Sequence, residues 1–271
     1  MNISESNVYF IPPKQINPDC PLFVYLPGMD GTGSLFQAQA NRLAAYFDLR
    51  CLSIQVDSLG NWDDLARETV QLIRSELTNK PNRSVYLCGE SFGGCLAIKT
   101  ALMASSLINK LILVNPASCF NQYPLLGWGV NITPWLPTWL HRYSAASLLP
   151  FLARLNRIND CDRQKLVKTM KSLPPQIVSW RLSLLRDFKV SEAQLRNLTM
   201  SSLIIASAAD GLLPSVTEAE KLVKVLPRAK MTVLPYSGHA CLLETEVNLY
   251  QILVEQNFIK VQTRQVANLV S

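Results

Sequence analysis

The sequence predicts an α/β protein, a mostly parallel sheet with helices on both faces and one inserted helical segment. Short, uninterrupted apolar runs alternate with longer stretches of helical period, the pattern of strands buried on both faces. The alternation stops at Asn115-Pro116 and resumes at Ser202. The stretch between them holds Pro124, Pro134, Pro137, Pro150, Pro174 and Pro175 and several helical windows without strand character. The expected organisation is a core built from residues 1–115 and 199–271, with residues 116–198 inserted as a helical cap.

Each element follows from local pattern. Leu22–Leu26 is an apolar strand, followed by a Gly-rich turn and a helix near Ser34–Phe47. Arg50–Ile54 reads as the next strand. Trp62–Leu77 places Leu65, Thr69, Leu72 and Ile73 at helical spacing, with Asp63 and Asp64 in the first turn, where carboxylates favour the helix N-terminus. Ser84–Cys88 predicts a strand, Phe92–Ala104 a helix and Leu111–Val114 a strand. After the insertion come a strand at Ser202–Ala206, a helix near Ser215–Val225, a strand at Met231–Leu234 and a terminal helix near Thr245–Phe258.

Composition excludes several classes. Of 271 residues, 48% are apolar and 17% charged, which is neither a disordered tail nor a coiled coil. The length suggests at most about two domains. No uncharged apolar run is long enough to span a bilayer, and the segment Met1–Glu5 lacks the features of a signal peptide. The expected location is cytoplasmic, with contact at an intracellular membrane left open. Seven cysteines, with no Cys-x-x-Cys pair, read as small buried hydrophobes in a reducing compartment. With only His141 and His239 as histidines, no metal and no cofactor are expected. The net charge of +6 is unevenly shared, since residues 116–198 hold 11 Lys/Arg against 4 Asp/Glu.

Gly89-Glu90-Ser91-Phe92-Gly93 matches G-x-S-x-G between a predicted strand and a predicted helix. Flanking glycines let the chain turn sharply and expose a serine hydroxyl above the sheet. The Phe92 amide then stands at a helix N-terminus, suited to a developing oxyanion. The plainer reading is an ordinary Gly-rich turn. A serine nucleophile needs a base, and His239 follows the last predicted strand. His141, inside the cap, is the weaker candidate because it breaks the chain order. Asp210, in Ala208-Ala209-Asp210-Gly211, is the carboxylate that would orient the base, although an Asp before Gly also suits a simple turn. The order Ser91, Asp210, His239 is that of α/β-hydrolases. A second oxyanion donor is expected from Pro27-Gly28-Met29-Asp30-Gly31-Thr32-Gly33, at the Met29 amide. That loop lacks both G-K-[ST] and G-x-G-x-x-G, so it does not read as a phosphate cradle, and no nucleic-acid partner is expected.

These segments, together with Asn115-Pro116-Ala117-Ser118 and Ser237-Gly238-His239, resemble the α/β-hydrolases over essentially the whole chain. More narrowly they resemble the hydrolase half of the plant phytyl ester synthase and diacylglycerol acyltransferase family and its cyanobacterial relatives. That resemblance implies acyl lipid substrates, and either hydrolysis or passage of the acyl group to phytol or diacylglycerol. The chain departs from the plant enzymes in ending at Ser271 without their second, acyltransferase-like region, so simple ester or thioester hydrolysis is the expectation. It departs from many hydrolases in carrying Pro27, not His, before the oxyanion glycine. A catalytically silent binding protein on the same fold is the remaining alternative.

Residues 116–159 combine Phe120, Tyr123, Trp128, Trp135, Trp139 and Phe151 with basic Arg142, Arg154 and Arg157. Two readings stay open. These side chains bury against the sheet as an apolar acyl tunnel, or part of this face also rests on a membrane surface, as interfacial tryptophans and basic residues do. The oligomeric state is not legible.

Overall fold

The computed structural model describes residues 6–55, 59–123 and 149–259. Among them the strands β1 (Val8–Ile11), β2 (Leu22–Leu26), β3 (Asp48–Ile54), β4 (Val85–Glu90), β5 (Lys110–Val114), β6 (Ser201–Ser207) and β7 (Ala229–Leu234) form one sheet in the order β1-β3-β2-β4-β5-β6-β7. Only β1 runs antiparallel, against β3. Burial on both faces explains the uninterrupted apolar runs. Leu22, Val24 and Leu26 of β2 join one core with α2 (Trp62–Leu77) and α3 (Phe92–Met103), whereas Phe23 and Tyr25 join the other with α1 (Gln37–Leu43). The same alternation recurs at Leu111/Ile112 and Leu203/Ile204. This is the α/β-hydrolase fold.

After β2 the chain crosses to β3 on one side and then to β4 on the other. The carboxyl ends of β2 and β4 therefore lie at a topological switch point, where a crevice opens in doubly wound sheets. The loop after β2 and the turn after β4 carry the glycine motifs.

Several boundaries differ from expectation. The helix expected over Ser34–Phe47 is a 3-10 turn at Ser34–Phe36 followed by α1, because Gly33 enters with φ 65° and the chain turns at Tyr46 and Phe47 to set Phe47 beside Phe23, ring centroids 5.1 Å apart. The terminal helix is confined to Leu249–Glu255, capped by the Asn248 side chain and stopped near Asn257 at φ 47°. β4 extends through Gly89 and Glu90, which pair with Leu113 and Val114. The edge strand β1, Val-Tyr-Phe-Ile, lies outside the elements read from the sequence. Of the cysteines, Cys88, Cys95, Cys119 and Cys241 are buried as expected, but Cys20 and Cys51 are half-buried and Cys161, in the first turn of a helix, is exposed.

Between β5 and β6 the described residues form a 3-10 turn (Ala117–Gln122), α4 (Leu149–Leu152), α5 (Asp160–Ser172), α6 (Pro175–Arg186) and α7 (Glu192–Arg196). His141, Arg142, Trp128, Trp135 and Trp139 lie outside the described residues. Of the remaining aromatic candidates, Phe120 is buried and Phe151 is 56% exposed. β6 leads to α8 (Ser215–Val225), and β7 leads through the His239 loop to α9 (Leu249–Glu255). Among the described residues no helix is long and apolar enough to cross a membrane.

Candidate active site

Ser91 sits between β4 and α3 with φ 53° and ψ −114°, a backbone conformation rare for a residue with a side chain. Close packing enforces it. A side chain at Gly89 would overlap the Gly93 carbonyl, and one at Gly93 would overlap the carbonyls of Leu26 and Pro27. The turn is pinned by Ser91 N–H donating to the Val114 carbonyl at 3.0 Å and by Gly94 N–H donating to the Ser91 carbonyl at 2.9 Å. Such strain costs about 1–3 kcal/mol and persists only where surrounding contacts over-determine it. The serine is thereby lifted out of the ladder, half-buried rather than enclosed.

The structure brings Ser91, His239 and Asp210 into one hydrogen-bonded line. His239 Nε2 lies 2.8 Å from Ser91 Oγ, and His239 Nδ1 lies 2.7 Å from Asp210 Oδ2. Asp210 fulfils the plainer reading as well, for its Oδ1 accepts from the Leu212 and Leu213 amides at 2.8 and 3.0 Å while Oδ2 accepts from Ser215 Oγ at 2.5 Å. Burial alone pushes this carboxyl up. Hydrogen bonds from His239, Ser215 and Leu213, with the charge of His239, outweigh burial and hold it below the ordinary value. An ionised acceptor at Nδ1 requires the proton there, which leaves Nε2 with a lone pair facing the serine hydroxyl.

The glycine loop from which an oxyanion donor is expected follows β2. Gly31 takes φ 64°, and its amide donates to the Gly28 carbonyl at 3.0 Å. Asp30 braces the turn by accepting from the Thr32 amide at 2.9 Å and the Thr32 hydroxyl at 2.5 Å. The Met29 and Phe92 amides donate to no group among the described residues. A side chain at Gly28 would clash with nothing, but its first carbon would stand 3.6 Å from the Ser91 Cβ, in the space above the serine.

Three supporting residues were not read from the sequence. Asn115, at φ 42°, donates from Nδ2 to the His239 carbonyl at 2.7 Å and to Ser207 Oγ at 2.9 Å, while its Oδ1 accepts from the Ser207 amide. It ties the β5, β6 and β7 ends together. An Asn-Pro at a strand end was the available signal. Glu244 accepts from the Gly238 amide at 2.8 Å, next to His239, and from Arg157 Nε at 2.8 Å. Glu90, beside Ser91, accepts from the Tyr25 hydroxyl. Burial pushes its carboxyl up to about 7, opposed by the Tyr25 hydrogen bond and by the charge of His239. No group of three or more metal-ligating side chains occurs among the described residues.

Comparison with known proteins adds four findings. The family described as serine aminopeptidase, S33, matches residues 56–246. The chloroplastic phytyl ester synthase 1 of Arabidopsis thaliana is 31% identical over 89% of this chain, which spans only 39% of that protein. The pimeloyl-[acyl-carrier protein] methyl ester esterase of Vibrio parahaemolyticus is 29% identical over 81% of this chain and 88% of its own length. Among solved structures, an esterase from Exiguobacterium antarcticum superposes with a TM-score of 0.73 at 18% identity, covering 93% of this chain and 95% of that one, a likeness of fold alone.

Proposed function

The chain belongs to the serine aminopeptidase S33 family of the α/β-hydrolase superfamily, and from that premise we propose that it is a serine esterase acting on acyl esters or thioesters of lipids through an acyl-enzyme. The observation that carries this reading is the line from Ser91 Oγ through His239 to Asp210. His239 Nε2 takes the hydroxyl proton as Ser91 Oγ attacks the acyl carbonyl. The Met29 and Phe92 amides receive the oxyanion, and Asp210 stabilises the imidazolium. His239 returns the proton to the departing alcohol or thiol as the acyl-enzyme forms. A water, deprotonated by the same nitrogen, then releases the fatty acid and restores the serine. The chemistry needs no metal or cofactor.

Lipid acyl groups are favoured by the likeness to phytyl ester synthase 1, and the methyl ester esterase relative supports ester hydrolysis. The first of these also supports a second reading, in which phytol or diacylglycerol replaces water as acceptor. Cytoplasmic placement, with the basic inserted segment against a membrane, belongs to the same proposal.

The test is covalent labelling by a fluorophosphonate probe together with product analysis on mixed acyl lipids, with and without phytol. Wild-type protein should label once per chain and release free fatty acid. Ser91→Ala should lose both labelling and turnover, a drop of roughly 10⁶-fold in kcat, while still folding. Labelling that survives in Ser91→Ala places the nucleophile elsewhere. An unlabelled wild type sinks the enzyme reading in favour of a binding protein, and phytyl esters as the main product would favour acyl transfer.

A further inference from the structure

Arg181 is the largest fully buried side chain of the described residues, with 0% exposure, and it has no carboxylate within ion-pair distance among them. Its Nη1 donates to the Met29 carbonyl at 2.6 Å. Its Nε and Nη2 find no acceptor. The nearest influence of opposite sign is Asp30, whose carboxylate is already engaged with Thr32. Burying a guanidinium on one neutral hydrogen bond and a distant Trp180 ring face, 5.9 Å from its Cζ, is unfavourable for stability, and an apolar side chain of similar length would suit such a site better. A fold keeps an arrangement of this kind where it is used.

The contact falls at the loop expected to form the oxyanion hole. The Met29 amide shares its peptide plane with the Gly28 carbonyl, which accepts from the Gly31 amide at 3.0 Å, and that plane joins the one Arg181 holds at the Met29 Cα, so fixing the Met29 carbonyl narrows the rotation that would swing the amide away from Ser91. The guanidinium packs so closely on the loop that a side chain at Gly31 would overlap it. The helix that supplies Arg181 is itself anchored. Trp180 Nε1 donates to the Gly60 carbonyl at 3.0 Å, and Trp62 Nε1 donates to the Leu184 carbonyl at 2.7 Å, both at the start of α2. Arg181 thus reaches the loop from an element fixed on either side of it, the condition for holding a donor within a fraction of an ångström.

We infer that Arg181 is a positioning residue of the oxyanion hole, through which the inserted segment sets the orientation of the Met29 amide. This rests on the reading of Met29 as an oxyanion donor. Losing a single such donor typically lowers kcat by 10²–10³-fold, and misaligning one costs somewhat less.

The experiment compares Arg181→Met and Arg181→Lys with wild type on a short-chain p-nitrophenyl ester, reading kcat, KM, Tm and fluorophosphonate stoichiometry. Arg181→Met should lower kcat by about 10- to 100-fold with KM changed less than about twofold, while Tm stays level or rises. Arg181→Lys, which keeps a donor but not the planar fork, should recover part of the loss. An unchanged kcat in Arg181→Met overturns the inference. So does a raised KM at constant kcat, which would mean that the guanidinium binds substrate instead. A lowered Tm with a matching loss of labelled sites would reduce Arg181 to packing. If Arg181→Met does not accumulate as folded protein, Arg181→Lys decides alone: a lowered kcat at full labelling supports the role, and wild-type kcat rejects it. Failure of the wild type to label defeats the serine-esterase reading, whereas labelling with an unchanged variant kcat defeats only the positioning role.

Discussion

The loops at the carboxyl ends of β2, β4, β6 and β7 and the segment inserted between β5 and β6 are held by different kinds of contact. The strand-end loops are shaped by backbone geometry: a serine at φ 53°, an asparagine at φ 42°, and glycines into which neighbouring carbonyls press. The inserted segment is fastened by side chains that travel far in sequence. Arg157 reaches Glu244, Arg181 reaches Met29, and Trp62 and Trp180 lace α6 to α2. Its basic excess is correspondingly not a uniform outer field. Arg157 and Arg181 face inward, while Arg163, Lys165, Arg186 and Arg196 pair with acids on their own helices or just beyond them. The difference teaches that reactive geometry and its support can be encoded separately, one in contiguous motifs and the other in scattered contacts.

The sharpest way to sharpen that contrast is to alter charge at the strand ends while sparing shape. Asp210→Asn keeps an acceptor for the Leu212 and Leu213 amides, so the turn should persist. The new amide nitrogen, however, can present a donor to His239 Nδ1 and so favour the wrong tautomer. We expect kcat to fall by roughly 10⁴-fold near neutral pH with little change in KM or in unfolding free energy. An unfolding free energy that dropped by several kcal/mol would show that the turn, and not the tautomer, was lost.

Glu244 tests the join between the two regions. Its carboxylate is buried and shared between the Gly238 amide and Arg157, beside a bridge that pairs Ile158 with Glu244. The adjoining backbone is also zipped, with the Thr245 amide on the Arg157 carbonyl at 3.0 Å and the Ala240 amide on the Leu152 carbonyl at 2.9 Å. Glu244→Ala strands the buried Gly238 amide and leaves Arg157 paired with Glu246 alone, so urea unfolding should show a loss of about 2 kcal/mol. Activity should fall further than the folded fraction does, because Gly238 precedes His239. A loss under about 0.5 kcal/mol would mean that the insertion is fastened elsewhere.

This contrast also explains what could be read in advance. Strands buried on both faces announce themselves as apolar runs, and helix α2 matched its expected ends because Asn61 caps it and Asp63 and Asp64 follow. Ser91, Asp210 and His239 could be named because each stands in a turn after a strand, a setting legible within ten residues. Glu244 and Arg181 could not, since nothing near either one in sequence signals a partner 87 or 152 residues away. Helix ends near Phe47 and Thr245 were misplaced for a related reason. There the chain leaves the helix to satisfy distant groups, as where the Gln39 side chain donates to the Leu242 and Val247 carbonyls at 2.8 Å.

The smallest expected effect concerns a strand-end carboxyl whose charge changes near neutrality, Glu90. Glu90 lies under the serine turn against the Tyr25 hydroxyl, and burial raises its carboxyl to about 7 from an ordinary 4.5. A raised acid binds its proton more tightly in the folded than in the unfolded chain. Its contribution to stability is therefore fully present below pH 4.5 and lost as pH rises through about 7. A displacement of that size corresponds to roughly 3 kcal/mol, reduced to about 2 kcal/mol because Glu90 keeps some contact with solvent. Glu90→Gln retains an acceptor for Tyr25 but cannot ionise. The variant should match wild type at pH 4 and melt roughly 4 °C higher at pH 8. Parallel melting curves across that range would show that the ionised carboxylate is fully compensated in place, and that charge as well as backbone geometry holds the strand ends.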